Sequence, residues 1–321
     1  MGTIFKYRRL ELAFCAGLLL SSCANVRERP TADLKMAITI DDLPVHGPIP
    51  RGLTPLEVNQ QMISALQAAQ VPGVSVYING KSTITYPGSE AAIGAWRDAG
   101  IRVANHTWSH LNLNDVSLDV YRDEIVRNEP LLQKYAGSKD WKWFRYPFLA
   151  EGDDTAKRAA IRSFLAERGY RIAGVSMDFS DWRFTAAYTR CRDANNQAAI
   201  RKMERLYMNA VRAGVDYSRA AGRALYGREI PQVLLMHVGA FSAHMMPRVI
   251  AEYRRAGFRF VSIEEAQADP AYAEDNDPRL PPRPQFISAR LNARGLTLSQ
   301  QPDYTIQLNA MCPGGPLIST P

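Results

Sequence analysis

A parallel α/β domain, either an open sheet or a barrel, is the fold this sequence predicts. Two observations predict it. From about residue 36 to residue 272, short apolar runs alternate with helical patterns. Acidic and imidazole side chains also gather at the C-terminal ends of those runs, where parallel α/β folds build their sites. Roughly 235 residues suffice for one large core.

The first strand, 36–41, runs through the mostly apolar Met36 to Ile40 and ends in Asp41-Asp42. Two carboxylates at the rim of a core cost free energy unless a metal, a cation or solvent compensates. Strand alternation points them to opposite faces, which predicts two different jobs. The next element is a helix. Thr54-Pro55-Leu56-Glu57 has proline at the first helical position and capping-box spacing, and Met62, Ile63, Leu66 and Ala69 form its apolar face. A strand at 74–78 follows, then a helix from Ser89 to Ala99 stopped by Gly100, then a strand at 101–105. Helices at 115–129 and 154–168 precede a strand at 171–176, and strands at 233–237 and 259–263 flank a helix at 245–256.

Two regions interrupt this order. Residues 183–230 are a long charged insertion, helical from about 197 to 224. Its Met203, Leu206, Tyr207, Ala210 and Val211 recur at helix spacing, which favours packing over a binding stripe. The insertion is long enough to form a lid or a partner surface. Residues 273–321 are a Pro-rich C-terminal tail with its clearest break at Leu280-Pro281-Pro282-Arg283-Pro284. Such a composition wraps a domain or stays partly disordered.

The start of the chain reads as an export signal over residues 1–22. Lys6, Arg8 and Arg9 precede the apolar stretch Leu12 to Leu20. That stretch is too short to cross a bilayer, which needs about 20 residues. Leu20-Ser21-Ser22-Cys23 resembles a bacterial lipobox, which implies cleavage before Cys23 and lipidation of its thiol. Residues 23–35 then form a tether. Ala24 follows the cysteine, a position where Asp would resemble an inner-membrane retention signal. The expectation is an exported protein, lipid-anchored in a bacterial envelope, on the outer membrane or facing the periplasm in a Gram-negative cell. Such a chain keeps Cys191 and Cys312, an even pair in an oxidising compartment, and they are expected to form a disulfide. The leader holds a net +2 of the chain's +7, which leaves a mildly basic mature chain. No basic run interleaved with aromatics points to nucleic acid.

Only five histidines occur, and two stand in His106-Thr107-Trp108-Ser109-His110, after the strand 101–105. If the segment turns helically, that spacing puts both imidazoles on one face. Two imidazoles and one carboxylate with open positions make a common catalytic metal site. Three more segments fit the same rim: Arg145-Tyr146-Pro147-Phe148, Asp178-Phe179-Ser180-Asp181-Trp182 and Leu235-Met236-His237. Each alone has a plain structural reading; their joint occurrence does not.

In this order the five segments resemble the polysaccharide deacetylase family, metal-dependent carbohydrate esterases that remove acetyl groups from N-acetylated sugars. The resemblance spans roughly 36–272. It implies a deformed (β/α) barrel of about seven parallel strands. It also implies one divalent ion held by Asp42, His106 and His110, zinc first, with cobalt, nickel or manganese compatible. Asp41 would be the base towards water, oriented by Arg145. His237 would be the acid that protonates the leaving amine, paired with Asp181. Trp182 and Leu235 would wall an acetyl pocket, and the backbone N–H near Tyr146 would face the oxyanion.

The expected reaction is metal-dependent hydrolysis of an acetyl amide on an envelope glycan. The same chemistry on an O-acetyl ester or a small amide or ester is the alternative within the class. An inactive envelope-binding lipoprotein is the alternative outside it. The family pattern continues the two acids with Gly-Pro, whereas Leu43-Pro44-Val45-His46-Gly47 stands here. That departure puts the substrate in question. His46 is expected in a loop, with contact to substrate as the alternative, and His244 in packing or capping at a helix start.

Overall fold

The structure, a computed structural model, describes residues 1–3, 33–280 and 287–314. Residues 4–22 of the expected export signal, Cys23 of the lipobox-like run, residues 23–32 of the expected tether and the prolines at 281–284 lie outside the described residues. Among the described residues no helix is long and apolar enough to cross a membrane.

Seven parallel strands form one curled sheet: β1 (Leu34–Leu43), β2 (Ser75–Ile78), β3 (Arg102–Asn105), β4 (Trp143–Phe144), β5 (Arg171–Ile172), β6 (Gln232–His237) and β7 (Phe258–Phe260). Their order is β5-β4-β3-β2-β1-β6, with β7 paired to the start of β1. The curl closes through the segment after β5. Met177 bridges Leu234 in parallel, Ser176 N–H donates to Val233 O at 3.1 Å, and Leu235 N–H donates to Met177 O at 2.9 Å. The result is the expected deformed (β/α) barrel.

β1 is the central strand. It pairs with β2, β6 and β7, and Met36, Ile38 and Ile40 are fully buried. Each such side chain contributes about 1.5–3 kcal/mol by leaving water. β1 begins at Leu34, inside the stretch read as tether. The two-residue β4 is missing from the sequence reading, because Trp143-Phe144 is too short to show a period.

The helices are α1 (Pro55–Ala68), α2 (Ser82–Thr85), α3 (Glu90–Asp98), α4 (Leu118–Tyr135), α5 (Thr155–Glu167), α6 (Phe184–Asp193), α7 (Gln197–Tyr226), α8 (Ala240–Arg255), α9 (Ile263–Gln267), α10 (Ala273–Asn276), α11 (Ile287–Ala293) and α12 (Thr305–Asn309). α1 starts with the expected capping box: Glu57 N–H donates to Thr54 Oγ1 at 3.2 Å, and Thr54 N–H donates to Glu57 Oε2 at 2.8 Å. His244 lies inside α8 and not at a cap. Its Nε2 is 2.9 Å from Glu204 Oε1, which ties α8 to α7.

The insertion forms α6 and α7. Met203, Tyr207, Ala210 and Val211 are buried, so its stripe is packing. The tail is ordered on this insertion where described. Ile287 and Leu291 of α11 are buried in a cluster with Ala221 and Leu225 of α7. The Arg190 guanidinium donates to the carbonyls of Leu308 (2.8 Å) and Cys312 (3.0 Å) at the end of α12. Cys191 and Cys312 form the expected disulfide, with Cα atoms 5.2 Å apart. The bridge closes a loop 121 residues long. Cys191→Ser/Cys312→Ser is therefore expected to lower unfolding free energy by about 2–4 kcal/mol, measured by urea titration under oxidising conditions.

Candidate active site

The site begins with a break in strand alternation. Asp42 has φ +65°, and the β1–β2 register shifts between Ile40 and Leu43. A regular strand would send Asp41 and Asp42 to opposite faces. The left-handed residue instead turns both carboxylates into one cavity of about 860 Å³ at the C-terminal rim of the barrel. The expectation of opposed faces is thus overturned by one backbone angle.

His106 and His110 meet the pair there, but not from a helix. Residues 106–110 form an irregular loop in which Thr107 (φ +64°) and His110 (φ +59°) are left-handed. The two rings lie 4.8 Å apart. His106 Nδ1 is 2.8 Å from Arg145 O, and a carbonyl only accepts, so Nδ1 carries the proton. Its free Nε2 then faces Asp42 Oδ1 at 3.5 Å, and His110 Nε2 faces the same oxygen at 3.4 Å. Asp42 Oδ1 is buried and, among the described residues, has no hydrogen-bond partner.

The electrostatics fit a cation at this point. Burial pushes both imidazoles down to about 4, so they are neutral near pH 7. Burial opposes ionisation of Asp42, yet the His46 hydrogen bond and the positive His237 help hold the carboxyl well below its usual range. Ligand atoms of Asp42, His106 and His110 lie within 4.8 Å of one another. One carboxylate and two neutral imidazoles around an orphaned buried oxygen are a donor set for a divalent metal.

Three asparagines hold these loops in place. Asn79 Nδ2 donates to His106 O at 2.5 Å, Asn105 Oδ1 accepts from Thr107 N–H at 2.9 Å, and Asn128 Nδ2 donates to Ile78 O at 2.7 Å and Asn105 Oδ1 at 3.0 Å. Asn128 Oδ1 accepts from Gly80 N–H. Gly80 has to be glycine here, because a Cβ would collide with the Trp108 ring and Asn128 Oδ1.

Asp41 stands beside this set and is 2 % exposed. Arg145 is fully buried behind it, with Nη1 3.6 Å from Asp41 Oδ2 and Nη2 donating to Thr39 Oγ1 at 2.9 Å. Burial pushes Asp41 up to about 6, against the pull of Arg145 and His237. Among the described residues Asp41 Oδ1 has no hydrogen-bond partner.

His237 stands opposite Asp41 in the β1–β6 pairing. Asp181 is fully buried and accepts from His237 Nδ1 at 2.7 Å, from His237 N–H at 2.9 Å and from Ser242 Oγ at 2.7 Å. Burial disfavours the imidazolium, but Asp181 overrides it and pushes His237 up to about 10. The positive form therefore persists through neutral pH.

Asp41, Asp42, His106, His110, His237, Trp182 and Leu235 all line the cavity, while Arg145 and Asp181 stand directly behind Asp41 and His237. Tyr146 does not line it. Its side chain is 1 % exposed and packs edge-on against Phe144, so only its backbone is left for a site role. Phe148, two residues on, does reach the cavity; it has φ +56°, is 62 % exposed and lies 4.5 Å from the His110 ring. No residue of α6 or α7 is among those lining the cavity, so the insertion buttresses the site instead of closing it. His46, expected as a loop residue, also lines the cavity, with Nδ1 2.5 Å from Asp42 Oδ2. Its spacing of four from Asp42 was the available signal, hidden by the turn between them.

Residues 28–164 match the family described as Polysaccharide deacetylase. The match takes in Asp41, Asp42, His106, His110 and Arg145 and stops before Asp181 and His237. A curated peptidoglycan-N-acetylglucosamine deacetylase from Bacillus cereus is 27 % identical over 160 residues, 50 % of this chain and 50 % of that protein. The chain thus spans about half the length of the curated relative it matches. Among solved structures, a CE4 family pseudoenzyme from Bacillus anthracis superposes with TM-score 0.50 at 14 % identity, covering 73 % of this chain and 66 % of that one. A mutant CE4 family pseudoenzyme with restored enzymatic activity superposes with TM-score 0.50 at 15 % identity, covering 73 % and 68 %. At these identities the likeness carries the fold.

Proposed function

We propose that this chain, which carries a polysaccharide deacetylase domain over residues 28–164, hydrolyses the acetyl amide of an N-acetylated envelope glycan. The observation that carries the reading is a single cavity with a base, an acid and a metal donor set on adjacent strand ends. Asp42, His106 and His110 would hold a divalent cation, zinc first, with cobalt, nickel and manganese suited to the same donors. Bound there, it would lower the pKa of a water and place positive charge beside the acetyl carbonyl.

The protein's own groups divide the proton work. Asp41, ionised above about pH 6, takes the proton of the attacking water through its free Oδ1. Arg145 fixes the Asp41 carboxylate from behind, itself anchored on Thr39. His237 turns Nδ1 to Asp181 and offers its Nε2 proton to the departing nitrogen. An amine leaves far more easily than an amide anion, so this proton is what makes amide cleavage feasible. Neighbouring parallel strands lie about 4.8 Å apart, so the Asp41↔His237 pairing leaves base and acid flanking one amide group. Trp182 and Leu235 offer apolar wall for the acetyl methyl. The leader and Cys23 would place this chemistry on the envelope, attached through lipid.

Acetate release from N-acetylated sugar oligomers and from aryl acetates tests the reading. Acetate is expected from the oligomers, lost on chelation and restored by added zinc. Asp42→Ala and His110→Ala are expected to lose metal and turnover together, with metal measured by competition against a chromogenic chelator. Release from the aryl acetates alone would leave an esterase and remove the glycan.

A further inference from the structure

The segment in which this chain departs from its family pattern places an imidazole on a metal-donor carboxylate. Asp42 presents its two oxygens to different partners. Oδ1 faces His106 and His110, buried and without a hydrogen bond. Oδ2 lies 2.5 Å from His46 Nδ1. A carboxylate only accepts, so the proton of this bond belongs to His46 Nδ1.

His46 is itself held at several points. Its backbone N–H donates to Val238 O at 2.6 Å, directly after His237. The turn leading to it is tied down by Asn59 Nδ2, which donates to Pro44 O at 2.8 Å. Gly47 follows with φ +67°, and a Cβ there would sit 3.2 Å from Thr185 Cγ2, so the chain leaves His46 through a position that suits glycine on both counts. The segment carrying the imidazole is thus tied to the residue after β6 and to α1, and the His46 ring centroid lies 5.0 Å from that of His237.

We propose that His46 is a positioning residue for the metal centre: by occupying Asp42 Oδ2 it fixes the carboxylate plane and leaves Oδ1 alone to bind the cation. This rests on the metal reading of Asp42, His106 and His110. An outer partner of this kind raises affinity without touching the metal, because the donor arrives already oriented. It also offsets a local cost. Asp42 is left-handed and shares its cavity with a second carboxylate, and the His46 N–H gives its second oxygen a fixed donor.

The test is metal affinity, read directly. Native chain, His46→Ala, His46→Asn and Asp42→Ala are titrated with Zn²⁺ against a chromogenic chelator and with Co²⁺ by its visible absorption. His46→Ala is expected to weaken binding about 10–100-fold, with the native Co²⁺ band shape retained. His46→Asn, whose side-chain N–H falls near the imidazole Nδ1 position, is expected to recover most of that loss. Thermal unfolding of the metal-free proteins separates this from a purely structural role, which would lower stability without recovery of affinity in His46→Asn. Native affinity in His46→Ala overturns the proposal. So does a changed Co²⁺ band in both His46 variants, which would make His46 a ligand itself. A native chain that binds metal no better than Asp42→Ala would instead remove the metal reading and this inference with it.

Discussion

Asp41→Asn is expected to hold its cation about as tightly as the native chain and to release acetate on the order of 10²–10⁴-fold more slowly. The two effects separate because the two acids are separated. Asp42 Oδ1 faces both imidazoles, whereas Asp41 approaches only His106, through Oδ2 at 3.5 Å, and among the described residues its Oδ1 has no hydrogen-bond partner. Asparagine keeps the shape and loses the basicity. The pH dependence carries the same assignment. Burial pushes Asp41 up to about 6, so the native rate should fall as pH drops through that value, because protonated Asp41 cannot accept from water. In Asp41→Asn the acid limb should vanish from the residual rate. Chelator competition gives the affinity and a coupled acetate assay gives the rate. A variant rate near that of the native chain would take the base role away from Asp41.

Much of this site is legible in the sequence because its chemistry lies in short segments at strand ends. Asp41-Asp42, His106 with His110, Arg145, Asp181 and His237 each follow or flank an apolar run, and a rim of strand ends brings such residues together whatever the intervening lengths. What is not legible depends on single backbone angles and on long-range partners. Strand periodicity cannot anticipate φ +65° at Asp42, so it sends the second carboxylate to the wrong face and hides its bond to His46. The left-handed Thr107 and His110 likewise replace the helix turn implied by four-residue spacing. Asn79 follows β2, Asn105 ends β3 and Asn128 lies in α4, and they pass for ordinary polar residues until the structure brings them to the His106 loop. Ser242 becomes notable only because α8 begins beside Asp181. The strand β4 is missed for a simpler reason: two residues carry no period.

His237→Ala is expected to slow amide hydrolysis by about 10²–10⁴-fold while slowing an aryl acetate by less than about tenfold. The difference lies in the leaving group. An amine must be protonated as it departs, and a phenolate need not be. The partner residue adds a pH signature. Burial alone would lower the His237 pKa; Asp181 reverses that and pushes it up to about 10. A raised histidine pKa means the stability drawn from the pair is fully present below the unfolded value, about 6.5, and is lost as pH rises through the folded value, while the native imidazolium itself persists up to that folded value. The activity that needs the proton, and the stability drawn from the His237–Asp181 pair, should therefore both decline on the alkaline side. Asp181→Asn removes the charge that outweighs burial. Its alkaline limb should move towards neutrality on the amide substrate, and its stability deficit against the native chain should shrink as pH rises. The aryl acetate provides the control, since its rate does not draw on the His237 proton. Equal losses on both substrates in His237→Ala, or an alkaline limb unmoved in Asp181→Asn, would show that the proton reaches the leaving nitrogen from elsewhere.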